Sequence, residues 1–323
     1  MTAKNILDKT ALNEGPDAIP DSLDNSASGS KKNSSKAEHT PSAFLPKQSK
    51  EAAIVFCSLF IAGAAVLFAI YTSVAGMLKY SDASDSVKDT ITEKALEKDD
   101  YVIDWEDRVL EEKIRLITGI TDRDIMYSDV FSITSLDLSN MADAPEGTKI
   151  LNITALRNFT HLKKLDLSHN RISDITALEE LTDLTKLYLE DNQISDIGAL
   201  ANLTRLTRLS LSYNQLCDIS VLDNLTELKW LNLDCNDQLK DISALENLNK
   251  LTELHLANNQ VYDINILKSL TNLTILNLFN NDVSDISALK ALTNLKWLNL
   301  SDNNIQNYTP VEDLDIQYLY ESE

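Results

Sequence analysis

The chain has 323 residues, 43% of them apolar, with 50 acidic side chains against 29 basic ones and a net charge of −21. Seven Lys and seven acids precede residue 52 and residues 52–78 carry no charge, so the whole negative excess belongs to residues 79–323. So acidic a surface repels phosphate backbones and excludes nucleic acid as a partner, and three cysteines are too few for a disulfide framework.

Residues 1–51 are rich in Ser, Asn, Lys and Asp and hold few large apolar side chains. They cannot offset the entropy of ordering, so a disordered tail is predicted. Residues 52–78 follow as 27 positions without a charge. About 20 apolar residues cross the hydrocarbon core of a bilayer, which predicts a transmembrane helix that contacts lipid. The long polar stretch before it argues against a cleaved signal peptide, whose apolar region lies near the N-terminus. Four Lys flank the segment on each side (32, 36, 47 and 50; 79, 88, 94 and 98), so charge alone leaves its orientation open. Ala65, Ala69 and Ser73 form a row of small residues of the kind through which two such helices pair into a homodimer.

Residues 79–101 read as a charged stalk. Val109, Leu110, Ile114 and Ile117 then recur at helical spacing, with Gly119 as the stop. Residues 102–132 are therefore expected to form a helical cap over the open end of whatever core follows.

From 133 to 323 one short pattern repeats. Asn170, Asn192, Asn214 and Asn236 are 22 apart, and after a slip of one residue Asn259, Asn281 and Asn303 are 22 apart again. Each closes the pattern L-x-L-x-x-N, as in Leu165-Asp166-Leu167-Ser168-His169-Asn170. A fixed period of this length means stacked units, none able to bury its own apolar face. Eight coils are predicted; the first is lengthened in the loop Met141 to Lys149, the fifth at Asp237-Gln238, and the last departs from pattern at Asn307-Tyr308-Thr309-Pro310.

Within a coil, Leu187 and Leu189 have strand spacing, whereas Ile194, Ile197, Leu200 and Leu203 fall three apart, which suits 3-10 turns. Stacking gives an α/β solenoid with a parallel sheet of eight strands, roughly 35 Å across at ~4.8 Å per strand. The Asn column is expected to satisfy backbone groups where the chain bends inward. A second column, Asp174, Asp196, Asp218, Asp241, Asp263 and Asp285, could hold calcium, but its place at the start of each turn fits capping of free N–H groups. No metal or cofactor is expected. Cys217 and Cys235 lie about four positions out of register, which places them beyond the ~7 Å Cα limit for a bridge and predicts free thiols.

The run L-x-x-L-x-L-x-x-N-x-I-x-D-I-x-x-L-x-x-L-T from Leu184 to Thr204 resembles the bacterial 22-residue class of leucine-rich repeat, and the array as a whole resembles internalin-type repeats. Leu110-Glu111-Glu112-Lys113-Ile114-Arg115 is similar to the helical cap before such arrays, and Tyr308-Thr309-Pro310-Val311 to their usual ending. The resemblance implies a leucine-rich repeat horseshoe with a concave parallel sheet and a convex side of 3-10 turns, here preceded by one transmembrane helix. It also implies binding of a protein partner on the concave face, with the N-terminus cytoplasmic and the repeats outside the cell membrane. Two alternatives stand beside it: a scaffolding or glycan-binding protein of the envelope, and a cytosol-facing adaptor.

Side chains flanking the strand leucines point to the concave face. Lys164, Lys186 and Arg208 form a basic row there, and Trp230, Ile275, Phe279 and Trp297, with Tyr188 and Tyr213, set large apolar groups beyond reach of the core. With His255 these are the candidate partner-binding residues, since exposed Trp and Tyr anchor interfaces. No phosphate-cradling glycine run and no metal spacing among the four His is present, so no catalytic residues and no enzyme activity are expected.

Overall fold

The computed structural model describes residues 100–321, so the predicted tail, membrane helix and nearly all of the stalk lie outside the described residues, as does Cys57. Among the described residues no helix is long and apolar enough to cross a membrane.

Helix α1 (Arg108–Thr118) begins at Asp107, whose Oδ1 accepts from the backbone N–H of Val109 and Leu110, and ends at Gly119, whose left-handed φ of 73° favours a residue without Cβ. Leu110 and Ile114, four apart on one face, enter the same core as the repeats. The other carboxylate oxygen of Asp107 accepts from Leu151 and Asn152 N–H at 2.8 and 3.0 Å, tying the helix start to the first coil. A short helix α2 (Tyr127–Val130) follows. Asp100 accepts from Ser128 N–H and Oγ, and Tyr101 stacks on Tyr127 at 5.3 Å.

Three-residue strands then form one parallel sheet in chain order: β1 (Ser135–Asp137), β2 (Lys164–Asp166), β3 (Lys186–Tyr188), β4 (Arg208–Ser210), β5 (Trp230–Asn232), β6 (Glu253–His255), β7 (Ile275–Asn277), β8 (Trp297–Asn299) and β9 (Tyr318–Tyr320). Equivalent residues of neighbouring coils face one another throughout, as in Leu165↔Leu187↔Leu209. The expectation of eight strands is corrected to nine. β9 escaped the periodic reading because Leu319 follows Leu298 by 21 residues with no column Asn after it, yet pairing needs only backbone in the right register. The three-spaced segments form the expected 3-10 turns, for example Gly198–Leu200 and Ser243–Leu245.

The core is an aliphatic stack. The central strand leucines from Leu136 to Leu298 are at most 1% exposed, whereas Leu319 is 38% exposed at the last coil. Burial of a Leu is worth about 2 kcal/mol, so each coil is stable only against its neighbours.

The polar columns do what their chemistry requires. The Asn192 amide donates to the carbonyls of Leu167, Leu189 and Glu190 at 3.0–3.2 Å, and its Oδ1 accepts from Ile172 N–H at 3.0 Å. After the longer coil the scheme shifts: Asn259 Oδ1 accepts from Asn236 N–H at 2.9 Å, since the extra residue moves the next N–H away. The first coil has Met141 where the later ones have the column Asn, and there the Lys113 ammonium supplies the missing donors to Leu138 O, Ser139 O and Asn140 Oδ1 at 2.9, 2.8 and 3.2 Å. Burial pulls the Lys113 pKa below its usual value. In the Asp column every Oδ1 accepts the N–H two residues on, as in Asp174 to Thr176 and Asp285 to Ser287 at 2.8 Å. These bonds hold both carboxyls below their ordinary range.

One residue before each column Asn, from His169 to Asp302, the backbone turns left-handed. His169, Asp191, Tyr213, Cys235, Asn258, Asn280 and Asp302 have φ between 50° and 59°. Asn, Asp and His tolerate this region; Tyr and Cys do so at a cost. Cys217 and Cys235 are free.

A further column on the outer edge alternates in sign from Asp183 on, through Arg205, Glu227 and Lys250, with His161 before it. Asp183 lies 3.7 Å from His161 and is paired with Arg205, and Lys250 reaches Glu227 at 2.6 Å.

Candidate functional site

The face of the sheet opposite the core is built by the residues flanking each strand Leu. Parallel register stacks like positions, so the sequence writes this surface in rows. The first row reads Lys164, Lys186, Arg208, Trp230, Glu253, Ile275, Trp297 and Tyr318 across β2 to β9. Lys164 is exposed; Lys186, Arg208, Trp230, Ile275 and Trp297 are half-buried by one another.

The basic row and the aromatic residues, read from sequence as two features, form one cluster over β2–β6. Tyr188 and Trp230 approach to 6.5 Å between ring centroids at 56°, and Trp230 meets His255 at 5.9 Å. The Arg208 guanidinium lies 4.9 Å from the Trp230 ring centre, and Lys164 Nζ 5.9 Å from that of Tyr188. Such cation–π contacts fix otherwise mobile cations in place. The rings of β3 and β5 meet across β4 because the residues there are small: Ser210, and Ser212 just past the strand, are each 1% exposed.

Acidic groups close the trailing side of the cluster. Burial raises the Glu190 carboxyl, and burial pushes the Asp234 carboxyl up to about 7 despite a hydrogen bond from Ala257 N–H. Burial likewise lowers His255 to about 4, so it is neutral at pH 7. His169 Nδ1 lies 3.1 Å from Asp191 at the rim.

Other candidates fall elsewhere. Tyr213 sits at a left-handed bend on the rim, 56% exposed, and does not join the face cluster. A hydrogen bond with the Cys235 thiol is the main cause that pushes its phenol up to about 12. Tyr213, Cys235, Asn258 and Gln260 line a shallow rim depression of about 680 Å³. Trp297 forms a second, smaller aromatic pair with Tyr320 at 5.7 Å, while Ile275 and Phe279 are half-buried on and just after β7. Sequence reasoning missed Tyr318 and Tyr320, although the aromatic-Leu-aromatic pattern one residue short of the period marks them. It also missed Glu190 and Asp234, which look like any other acids until neighbours bury them. Among the described residues no group of three or more His, Cys, Asp or Glu is placed to hold a metal ion.

This architecture is that of a leucine-rich repeat protein. The family described as Leucine Rich repeats (2 copies) matches residues 160–202, 182–224 and 249–291, and a single Leucine Rich Repeat matches 294–315. Internalin C2 of Listeria monocytogenes is similar in structure with a TM-score of 0.62 at 32% identity, over 67% of this chain and 93% of that one. Internalin F of the same organism gives 0.51 at 29%, over 68% and 77%. The chain therefore belongs to the internalin-like leucine-rich repeat proteins. A plant peptide hormone receptor solved in complex with RGF2 shares the fold, with a TM-score of 0.52 at 23% identity over 62% of this chain and 33% of the receptor. A search of curated sequences found no match.

Proposed function

We propose that the chain is a membrane-anchored protein whose repeats bind a protein partner on the concave face of the sheet. The observation that carries this reading is the Tyr188–Trp230–His255 cluster with the Arg208 guanidinium over the Trp230 ring. Rigid aromatic groups beside an Arg, held on an open face where they add nothing to the core, are what interface anchors consist of. Residues 52–78 anchor the chain, 79–101 space the domain from the bilayer, and 102–132 cap the array at its N-terminal end, with the repeats outside the cell. Helix α1, bound to the first coil through Asp107 and Lys113, supports the capping role.

Two measurements test the reading. Cross-linking on intact cells with wild type and with Trp230→Ala/Trp297→Ala should capture a partner that the double variant loses; retention by the variant removes this face from the reading. Protease shaving of intact cells should digest the repeats, and their protection would reverse the topology.

A further inference from the structure

Three cations stand side by side on the open face. Lys164 faces Lys186 across β2 and β3, and Lys186 faces Arg208 across β3 and β4. Neighbouring strands are ~4.8 Å apart, and like charges directly opposite one another destabilise a sheet. Relief is cheap in a chain with 50 acidic residues, where one acid in the row would provide it. Yet none of the three enters any ion pair among the described residues, although eight other Lys and Arg side chains do.

Arg208 carries a second anomaly. Its Nε is buried and has no hydrogen-bond acceptor, although the residue as a whole is only half-buried. A buried N–H without a partner is costly and is rarely left so without reason. The Trp230 ring, 4.9 Å from the central guanidinium carbon, restrains the group from one side. A planar, fixed guanidinium is complementary to a carboxylate, which takes two of its donors at once.

We propose that the partner presents a short acidic segment, two or three carboxylates within about 10 Å, to the row Lys164–Lys186–Arg208, with an apolar side chain seated against Tyr188 and Trp230. This rests on the reading of the open face as the partner surface and specifies its chemistry. A long polyanion fits less well. The row is only three cations long, and Glu253 follows Trp230 in the same row, with Asp137, Asp166 and Glu190 alongside. A polymer continuing past the cations meets repulsion at both ends.

The test is selection of a random displayed peptide library on the full chain, in parallel with Lys164→Glu/Lys186→Glu/Arg208→Glu and with Trp230→Ala/Trp297→Ala. Wild type should enrich peptides that place two or more Asp or Glu close to an aromatic or aliphatic residue. Charge reversal should weaken them by about 100-fold or more. Salt at about 0.5 M, where screening acts within a few ångströms, should weaken them about tenfold. Lys186→Gln should lose affinity while its thermal midpoint holds or rises, which separates a binding role from a folding defect. Enriched peptides that need the tryptophans but carry no acidic excess would overturn the acidic-partner proposal and leave the binding face standing. Peptides indifferent to both variants, or no enrichment over a blank support, overturn both. Heparin binding to the row as tightly as the acidic peptides overturns the proposal in favour of a general polyanion.

Discussion

Asn236→Ala probes the polar column where it is most deeply enclosed. Asn236 is 0% exposed. Its amide donates to Leu211 O and Leu233 O at 3.1 and 3.0 Å, and its Oδ1 accepts from Leu216 N–H at 3.0 Å. Truncation does not strand the carbonyls, because Leu211 O also accepts from Asn214 and Leu233 O from Asn259. Leu216 N–H, in contrast, is left buried with no acceptor. An orphaned buried donor costs about 1–3 kcal/mol and each lost neutral bond about 1 kcal/mol, which totals roughly 3 kcal/mol. For a domain of this size that lowers the thermal midpoint by roughly 6–12 °C. All three tryptophans, Trp105, Trp230 and Trp297, lie in the described domain, so urea unfolding followed by their fluorescence reports on it alone. Asn303→Ala is the control. Its Oδ1 makes the same bond to Val283 N–H at 3.0 Å, but Asn303 is half-exposed and water can replace it, so its cost should stay near 1 kcal/mol. Equal losses in the two variants, or a loss below about 1 kcal/mol for Asn236→Ala, would refute the account of the column.

Lys113→Met should destabilise by about 2 kcal/mol, since Ser139 O loses a charge-assisted donor, and hydrogen exchange should quicken first in α1 and β1. Tyr213→Asn should stabilise by about 0.5–1 kcal/mol in urea melts, because φ is 53° there and the ring is mostly exposed. Asp234 has a carboxyl raised to about 7 in the folded chain against the ordinary ~4 in the unfolded one, so between those values the native state binds more protons and stability falls as pH rises. Asp234→Asn should therefore gain on the order of 2–4 kcal/mol over wild type at pH 8 and little at pH 4, measured by denaturation across that range. His255, lowered to about 4 from an unfolded ~6.5, acts in the opposite sense: its charging in the unfolded state erodes stability as pH falls through that window, and His255→Gln should melt higher than wild type at pH 5.

Most of the scaffold was legible because repetition turns packing into periodicity. The Asn and Asp columns could be assigned roles since an amide needs both donors and acceptors satisfied and a turn needs its free N–H groups capped; Asn192 and Asp174 do both as expected. Features that occur once were harder. Lys113 does for the first coil what an Asn does for the rest, and nothing in its local sequence distinguishes it from a surface lysine. The left-handed bends were readable in principle, because Asn, Asp or His fills five of those seven positions. On the open face, residue identities were legible and their grouping was not. Tyr188 and Trp230 meet across Ser210, which lies buried between them, and the half-buried acids Glu190 and Asp234 are set by neighbours from other coils.

The alternating column on the outer edge bears on how the chain avoids stacking wrongly. One leucine slice fits on any other, so apolar contacts alone cannot tell a coil from its neighbour's neighbour. Asp183, Arg205, Glu227 and Lys250 give these slices a parity. A slip of one slice brings acid onto acid and base onto base, whereas a slip of two restores every pair. The ladder thus favours arrays lengthened or shortened by two slices at a time, and disfavours the single-slice errors to which a uniform stack is otherwise blind.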